Sequence, residues 1–319
     1  MASTMNSTQP SSCFEANPDI SGLGVRISFY VQTICLVFLA GRSLDEALNS
    51  VWTLLGTSFG LTVSALVSAA QTGVDQNGTV TPSSLPLYQA IIVTDLIWIA
   101  NYAIFMALAT YGRHPRGSHR VQYAALGQTY ISMATILFLW ARAPSDPNAH
   151  QTVFVVVFAS VPAARRGRII ALTFTAVLLA AYSAVAYIFL FKRMIHSHKV
   201  IANGALQLPS TPVSPSPKGP RGPAPTLTAA AARPPPSLTV DPHLVTLSIF
   251  FGIPYIVTLV STELQIRRNA LCAGNSSWGF GQVLAMAMTI VPVLIAIDAY
   301  RKYGLRQRSR AAGVDSAEP

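Results

Sequence analysis

One carboxylate in this sequence stands where charge is expensive. Asp95 falls eight residues into a long apolar stretch, and Trp98 and Tyr102 follow it at the spacing that puts all three on one face of a helix. An ionisable group in such surroundings needs a partner, a cation or a proton, so the stripe reads as a site for an ion or a polar ligand. Gln128, on the next apolar stretch, is the fourth member of this candidate site. The competing structural reading has Asp95 hydrogen-bonded to Gln128, Thr129 or Ser132, holding two helices together and nothing more.

Other ionisable residues near apolar stretches are few. Arg26 lies a turn inside the first stretch and is the one cation there that could face Asp95, although its long stem favours snorkelling to the nearer surface. Glu263 and Asp298 sit close to the ends of two later stretches, where they are expected to reach water. Catalytic motifs are missing: there is no His-Glu-x-x-His, no Gly-x-Ser-x-Gly and no phosphate-cradling glycine loop. The six histidines, at 114, 119, 150, 196, 198 and 243, are scattered, so neither a metal site nor a cofactor is expected. All four lysines lie outside the apolar stretches, which removes a retinal-type Schiff base. The expectation is a protein that is not an enzyme and has no catalytic residue.

Holding a carboxylate in such a setting takes elements built for lipid. Hydrophobic residues make up 51% of the 319 and charged residues only 11%, a balance foreign to an ordinary soluble domain. Crossing a hydrocarbon core of about 30 Å takes roughly 20 apolar residues in a helix. The stretches that meet this length are Gly22–Ala40, Ala47–Ala70, Leu87–Tyr111, Val121–Ala141, Arg168–Phe191, Leu244–Leu264 and Ser277–Asp298. Their continuity selects helices over a barrel, whose strands would alternate. The expected fold class is all-α, a polytopic bundle of seven transmembrane helices. The chain then divides into an N-terminal arm (1–21), spans one to five (22–191), a proline-rich loop (192–243), spans six and seven (244–298) and a basic tail (299–319).

The net charge of +10 belongs to orientation rather than to a nucleic-acid partner, because the basic residues flank the spans. With the N-terminus outside, 15 of the 22 Lys and Arg face the cytosol and the C-terminus is cytosolic. The acceptor sequons at Asn6, Asn77 and Asn275 then all lie outside, where glycosylation occurs. Cys13 and Cys272 share that oxidising side and are a candidate disulfide, while Cys35 reads as a small buried hydrophobe. The apolar run within 151–162 is too short to cross and is a candidate strand, interfacial segment or re-entrant turn.

Residues 202–242 hold 11 of the 22 prolines and cannot form a helix or a core, so a disordered cytosolic loop is expected there. Thr211, Ser214 and Ser216 each precede a proline and are candidate phosphorylation sites, and the proline spacing suits a cytosolic protein with a polyproline groove. Gly56 and Gly60, followed by Ser64 and Ser68, give the second span a face narrow enough for close helix packing. Pro254 and Pro292 interrupt the sixth and seventh spans and are candidate bends.

The opening CFEANPDISGLGVRISFYVQT (13–33), with the later TDLIWIANYAIF (94–105), resembles a fungal, largely basidiomycete, family of multi-span integral membrane proteins with no assigned activity. The resemblance implies a multi-pass membrane fold and transfers no ligand or catalytic residue. Relatives of that kind often carry a Trp-x-Asn-Asn-like cluster in the third span, which Trp98 and Asn101 match in part. In topology alone the chain is similar to G-protein-coupled receptors, but ALATYGRHPRG at the end of the third span lacks their acidic-arginine-aromatic triplet. The expected role is that of a receptor-like or sensor protein in the plasma membrane or the secretory endomembranes. The alternatives are a transporter or channel that uses Asp95, and a membrane scaffold acting through the proline-rich loop. The lipid bilayer is the one partner every reading requires.

Overall fold

The structure is a computed structural model that describes residues 17–41, 44–71, 73–74, 80–81, 85–111, 119–143, 150–206, 242–269 and 278–303. The chain divides into two units, one formed by Met1–Leu179 with Val240–Pro319 and the other by Ala180–Thr239. A short α1 (Pro18–Ser21) leads into α2 (Leu23–Ala40) and α3 (Leu44–Ala70). A two-residue pair, β1 (Gly73–Val74) and β2 (Val80–Thr81), precedes α4 (Leu87–Tyr111) and α5 (His119–Arg142). Then come β3 (Val153–Val156), β4 (Ala159–Pro162), a π-helical turn over Ala163–Gly167 and α6 (Arg168–Leu206). The last elements are α7 (Pro242–Arg268) and α8 (Phe280–Tyr303). Among the described residues, seven helices are long and apolar enough to cross a membrane.

In the first unit α2 packs most extensively on α8 and α4, and α4 on α7. α4 is the most deeply enclosed, with Leu96, Ile97, Ile99 and Ile104 fully buried. By contrast α7 and α8 turn large apolar side chains outward, among them Phe250, Ile253, Val291 and Leu294. Such a surface is unfavourable in water and at home among acyl chains. In the second unit the described residues are the later part of α6, where Tyr187 and Phe191 stack one turn apart with ring centroids 5.8 Å apart.

Contacts made across the first unit account for the opening motif. Asn17 caps α1, its Oδ1 accepting from Asp19 N–H at 2.9 Å, and its backbone exchanges two bonds with the Gln89 amide of α4. Asp19 Oδ1 accepts from Gly281 N–H at the start of α8, where a carboxylate meets unpaired amides and a favourable helix dipole. Gly24 donates its N–H to Gln282 Oε1 at 2.9 Å, and a Cβ at Gly24 would fall 2.9 Å from the Gln282 Cβ. A side chain at Gly24 would therefore push α2 off α8.

Two expectations need correction, and at 151–162 the strand is selected from the alternatives. α6 continues as helix to Leu206, fifteen residues beyond the expected end at Phe191, because no proline or cluster of helix breakers intervenes before Pro209. The run in 151–162 is an antiparallel hairpin, with Val156 paired to Ala159 and Val153 to Pro162. Ala163 N–H returns to Thr152 O, so the hairpin goes back to the end it came from and α5 and α6 remain antiparallel neighbours in sequence. Cys35 is only partly buried and carries a free thiol.

Candidate functional site

α2, α4 and α7 bring a polar cluster together near one end of the first unit. Arg26 Nη1 and Glu263 Oε1 form an ion pair at 2.5 Å, and Tyr30, one turn further along α2, donates its hydroxyl to the same Glu263 oxygen at 2.9 Å. The expectation that Arg26 snorkels outward is thus overturned, since Arg26 is 8% exposed and turns inward, while Glu263 keeps 40% of its side-chain surface exposed. A guanidinium away from water costs several kcal/mol unless a carboxylate answers it, by general estimates of about that size. Asp298 does pair outside, with Lys302 at 2.5 Å on the exposed end of α8.

Asp95 sits next to this pair. Its Oδ2 accepts from Thr262 Oγ1 at 3.2 Å, and Thr262 immediately precedes Glu263 on α7. Arg26 and Asp95 therefore lie at nearly the same depth, each fastened to α7 by consecutive residues. Asp95 is half-buried, and Thr262 is its hydrogen-bond partner among the described residues. Tyr102 shares a side-chain hydrogen bond with Thr258, one turn from Thr262, and Tyr88 lies within electrostatic reach of Arg26 and Glu263. Below the ion pair, Thr33 and Tyr255 join α2 to α7 through their hydroxyls at 3.0 Å.

The sequence-derived stripe survives in part. Trp98 and Tyr102 stack with centroids 5.8 Å apart, but Trp98 also meets Phe174 of α6 edge-on, so its ring is a packing element between α4 and α6. Gln128 does not join Asp95. Its amide donates to Ser132 on its own helix and to Ser58 on α3, at 3.2 and 3.4 Å, which makes a separate α3–α5 contact. Asn101 is fully buried, and neither of its amide atoms has a partner among the described residues. Gly56 and Gly60 face outward, and a Cβ at either would meet nothing within 4 Å, so neither glycine makes a close helix contact with a described part of the chain.

Thr262 and Tyr30 escape the sequence reading, and Glu263 enters it only as a residue that reaches water. The usable signal was that Arg26 and Glu263 are opposite charges near span ends at one side of the bundle, but no sequence rule fixes which two helices touch. The Asn6, Asn77 and Asn275 sequons, the Cys13–Cys272 pair and Thr211, Ser214 and Ser216 lie outside the described residues. Among the described residues, no three His, Cys, Asp or Glu come together in a way that could hold a metal ion.

A second constellation lies at the same end of α7. Gln265 and Asn269 take the backbone of β3: Val155 N–H donates to Gln265 Oε1 at 2.7 Å and Val153 N–H to Asn269 Oδ1 at 3.0 Å, while both amide nitrogens donate to Val153 O. Arg268 donates to Phe158 O at 3.0 Å and to Ser160 Oγ. Phe154 is clamped edge-on by Trp140 of α5, and a Cβ at Gly167 would fall 2.9 Å from its ring. Two turns of α7 thus carry both the charged cluster and the anchor of the hairpin.

A chain whose described residues form seven helices long and apolar enough to cross a membrane, with an ion pair joining two of them, is the class of protein these features define. In comparison with known proteins, no family model, curated protein or solved structure matches the chain.

Proposed function

We propose that this chain is a receptor-like or sensor seven-helix protein of the plasma membrane or secretory pathway, with its N-terminus outside and its C-terminus in the cytosol. The observation that carries the reading is the convergence on α7. Its final turns hold Thr262–Asp95, Glu263–Arg26 and the β3–β4 anchor, while its first turn at Pro242 follows directly on the proline-rich segment. A polar ligand that competes for Asp95 or Glu263 would release α7 from α2 and α4, and Pro254, eight residues before Thr262, supplies the weak point for bending. The shift would reach the cytosolic segment that bears Thr211, Ser214 and Ser216. The test is a reconstituted chain with fluorophores at the cytosolic ends of α6 and α7, screened against polar ligands. A transfer change that disappears in Asp95→Asn and Glu263→Gln supports the reading; a change that persists in both sinks it.

One observation favours a carrier as the second reading. Arg26 is paired with Glu263 through Nη1, while Asp95 meets a hydroxyl rather than a cation, which leaves its charge open to an ion or a proton. Arg26 on α2 and Glu263 on α7 would add charged groups to a pathway that includes Asp95. Proton or cation flux into dye-loaded vesicles, abolished by Asp95→Asn, would establish this reading, and equal flux in both chains would remove it.

A further inference from the structure

The hairpin joining α5 to α6 has a geometry and a charge setting that the charged cluster does not explain. Val153 bonds Asn269 and Val155 bonds Gln265, so two strand residues match four helix residues, about 6 to 7 Å by either rise. β3 therefore runs back along α7 toward the middle of the bundle. Two residues further on, the turn reaches the level of Ser261 to Glu263, about one helical turn deeper than Gln265. That level lies inside the candidate span Ile249–Arg268.

The turn itself is unusual. Val156 pairs with Ala159, leaving Val157 and Phe158 as a two-residue loop with φ of 45° and 71°. A mirror-type turn of this kind is normally built from Asn-Gly, because bulky side chains, β-branched ones above all, are strained at positive φ. Here it holds two apolar side chains, 60% and 51% exposed. Strain that exposes apolar groups is retained where the surroundings reward it, as acyl chains would.

Around the base of the hairpin the charge is of one sign. Arg165 and Arg166 follow β4, and Arg267 and Arg268 end α7; all four are exposed. Arg165, Arg166 and Arg267 have no ion pair among the described residues. The sequence contains no Asp or Glu between Asp146 and Asp241, or between Glu263 and Asp298. Three guanidiniums without an ion pair, with Arg268 bonded to the turn itself, stand beside an apolar tip and match a phosphate headgroup next to its acyl chains.

We propose that the β3–β4 hairpin and Arg165, Arg166, Arg267 and Arg268 form a docking site for an anionic phospholipid, with Val157 and Phe158 among its acyl chains. The test uses the full-length chain in neutral detergent. Its thermal midpoint is followed as phosphatidylglycerol or phosphatidylcholine of identical acyl chains is added, with glycerol 3-phosphate and inorganic phosphate as separate arms. Phosphatidylglycerol is expected to raise the midpoint by about 2–4 °C, the other additions far less. R165Q/R166Q/R267Q leaves the hydrogen bonds of the hairpin in place and should weaken the apparent affinity for phosphatidylglycerol at least about tenfold, while the three lysine replacements retain most of it. V157N/F158G, a pair suited to the turn, should keep the fold and lose part of the increment. Equal shifts with both lipids, or a triple glutamine variant that responds like the parent, would overturn the proposal. A full shift from glycerol 3-phosphate or inorganic phosphate alone would reassign the arginines to a small anion and overturn it too.

Discussion

Removing the Arg26 guanidinium leaves the Glu263 carboxylate with only Tyr30 to answer it, and removing Glu263 strands a buried cation. Either loss is more costly than losing both, because the penalty is that of an unanswered charge rather than of a missing attraction. Because Glu263 keeps 40% of its side-chain surface, the cost is discounted. Arg26→Met and Glu263→Met should each destabilise the chain by about 1–3 kcal/mol, and the double variant by clearly less than their sum. Thermal unfolding in detergent, run as a double-mutant cycle, checks this, and strict additivity would mean the two groups do not interact. The Asp95–Thr262 bond is a smaller matter. Thr262→Val should cost about 0.5–1.5 kcal/mol, the usual range for a hydrogen bond between membrane helices.

At the level of elements, α7 is the beam on which the arrangement hangs. Its outer turns fasten α2, α4 and the hairpin through consecutive side chains, so motion of one is felt by the others. Gln265→Leu with Asn269→Leu removes the described α7 side-chain bonds to β3 and leaves those of Arg268 to the turn and to β4. Hydrogen exchange at Val153 and Val155 should then rise by at least about tenfold, since each bond is worth about 1 kcal/mol or more. Unchanged protection would show that Phe154 packing and the Arg268 bonds suffice to hold the hairpin. In the turn, V157N/F158G replaces strained residues with ones that accept positive φ, and a gain of about 1–2 kcal/mol in unfolding free energy is expected. On α3 the outward glycines predict tolerance: Gly56→Ala meets no neighbour and should leave the stability of the monomer equal or slightly higher. A loss there, with a change in oligomer size on a sizing column, would reveal a second copy on that face.

For the molecule as a whole, the arginine and lysine distribution predicts which end faces out. A cysteine placed beside Arg166 should react in intact cells with a membrane-impermeant maleimide, and one beside Ser214 should react only after permeabilisation. The reverse pattern would invert the topology while leaving the helix packing untouched. That separation marks what each level of description decides. Sequence alone determined the number and approximate extent of the apolar helices, because a bilayer imposes one length and one composition on whatever crosses it. It also flagged Asp95, since a charge in an apolar run is conspicuous without any knowledge of its neighbours. It missed the inward turn of Arg26 and placed Gln128 beside the wrong partner, because which faces meet depends on packing between residues 70 to 237 positions apart. The hairpin was legible only as an apolar run too short to cross, as strand registry and its bonds to Gln265 and Asn269 are properties of two segments held together. Local sequence sets what each helix can tolerate around it; only the close packing of α2, α4 and α7 decides which charges answer one another.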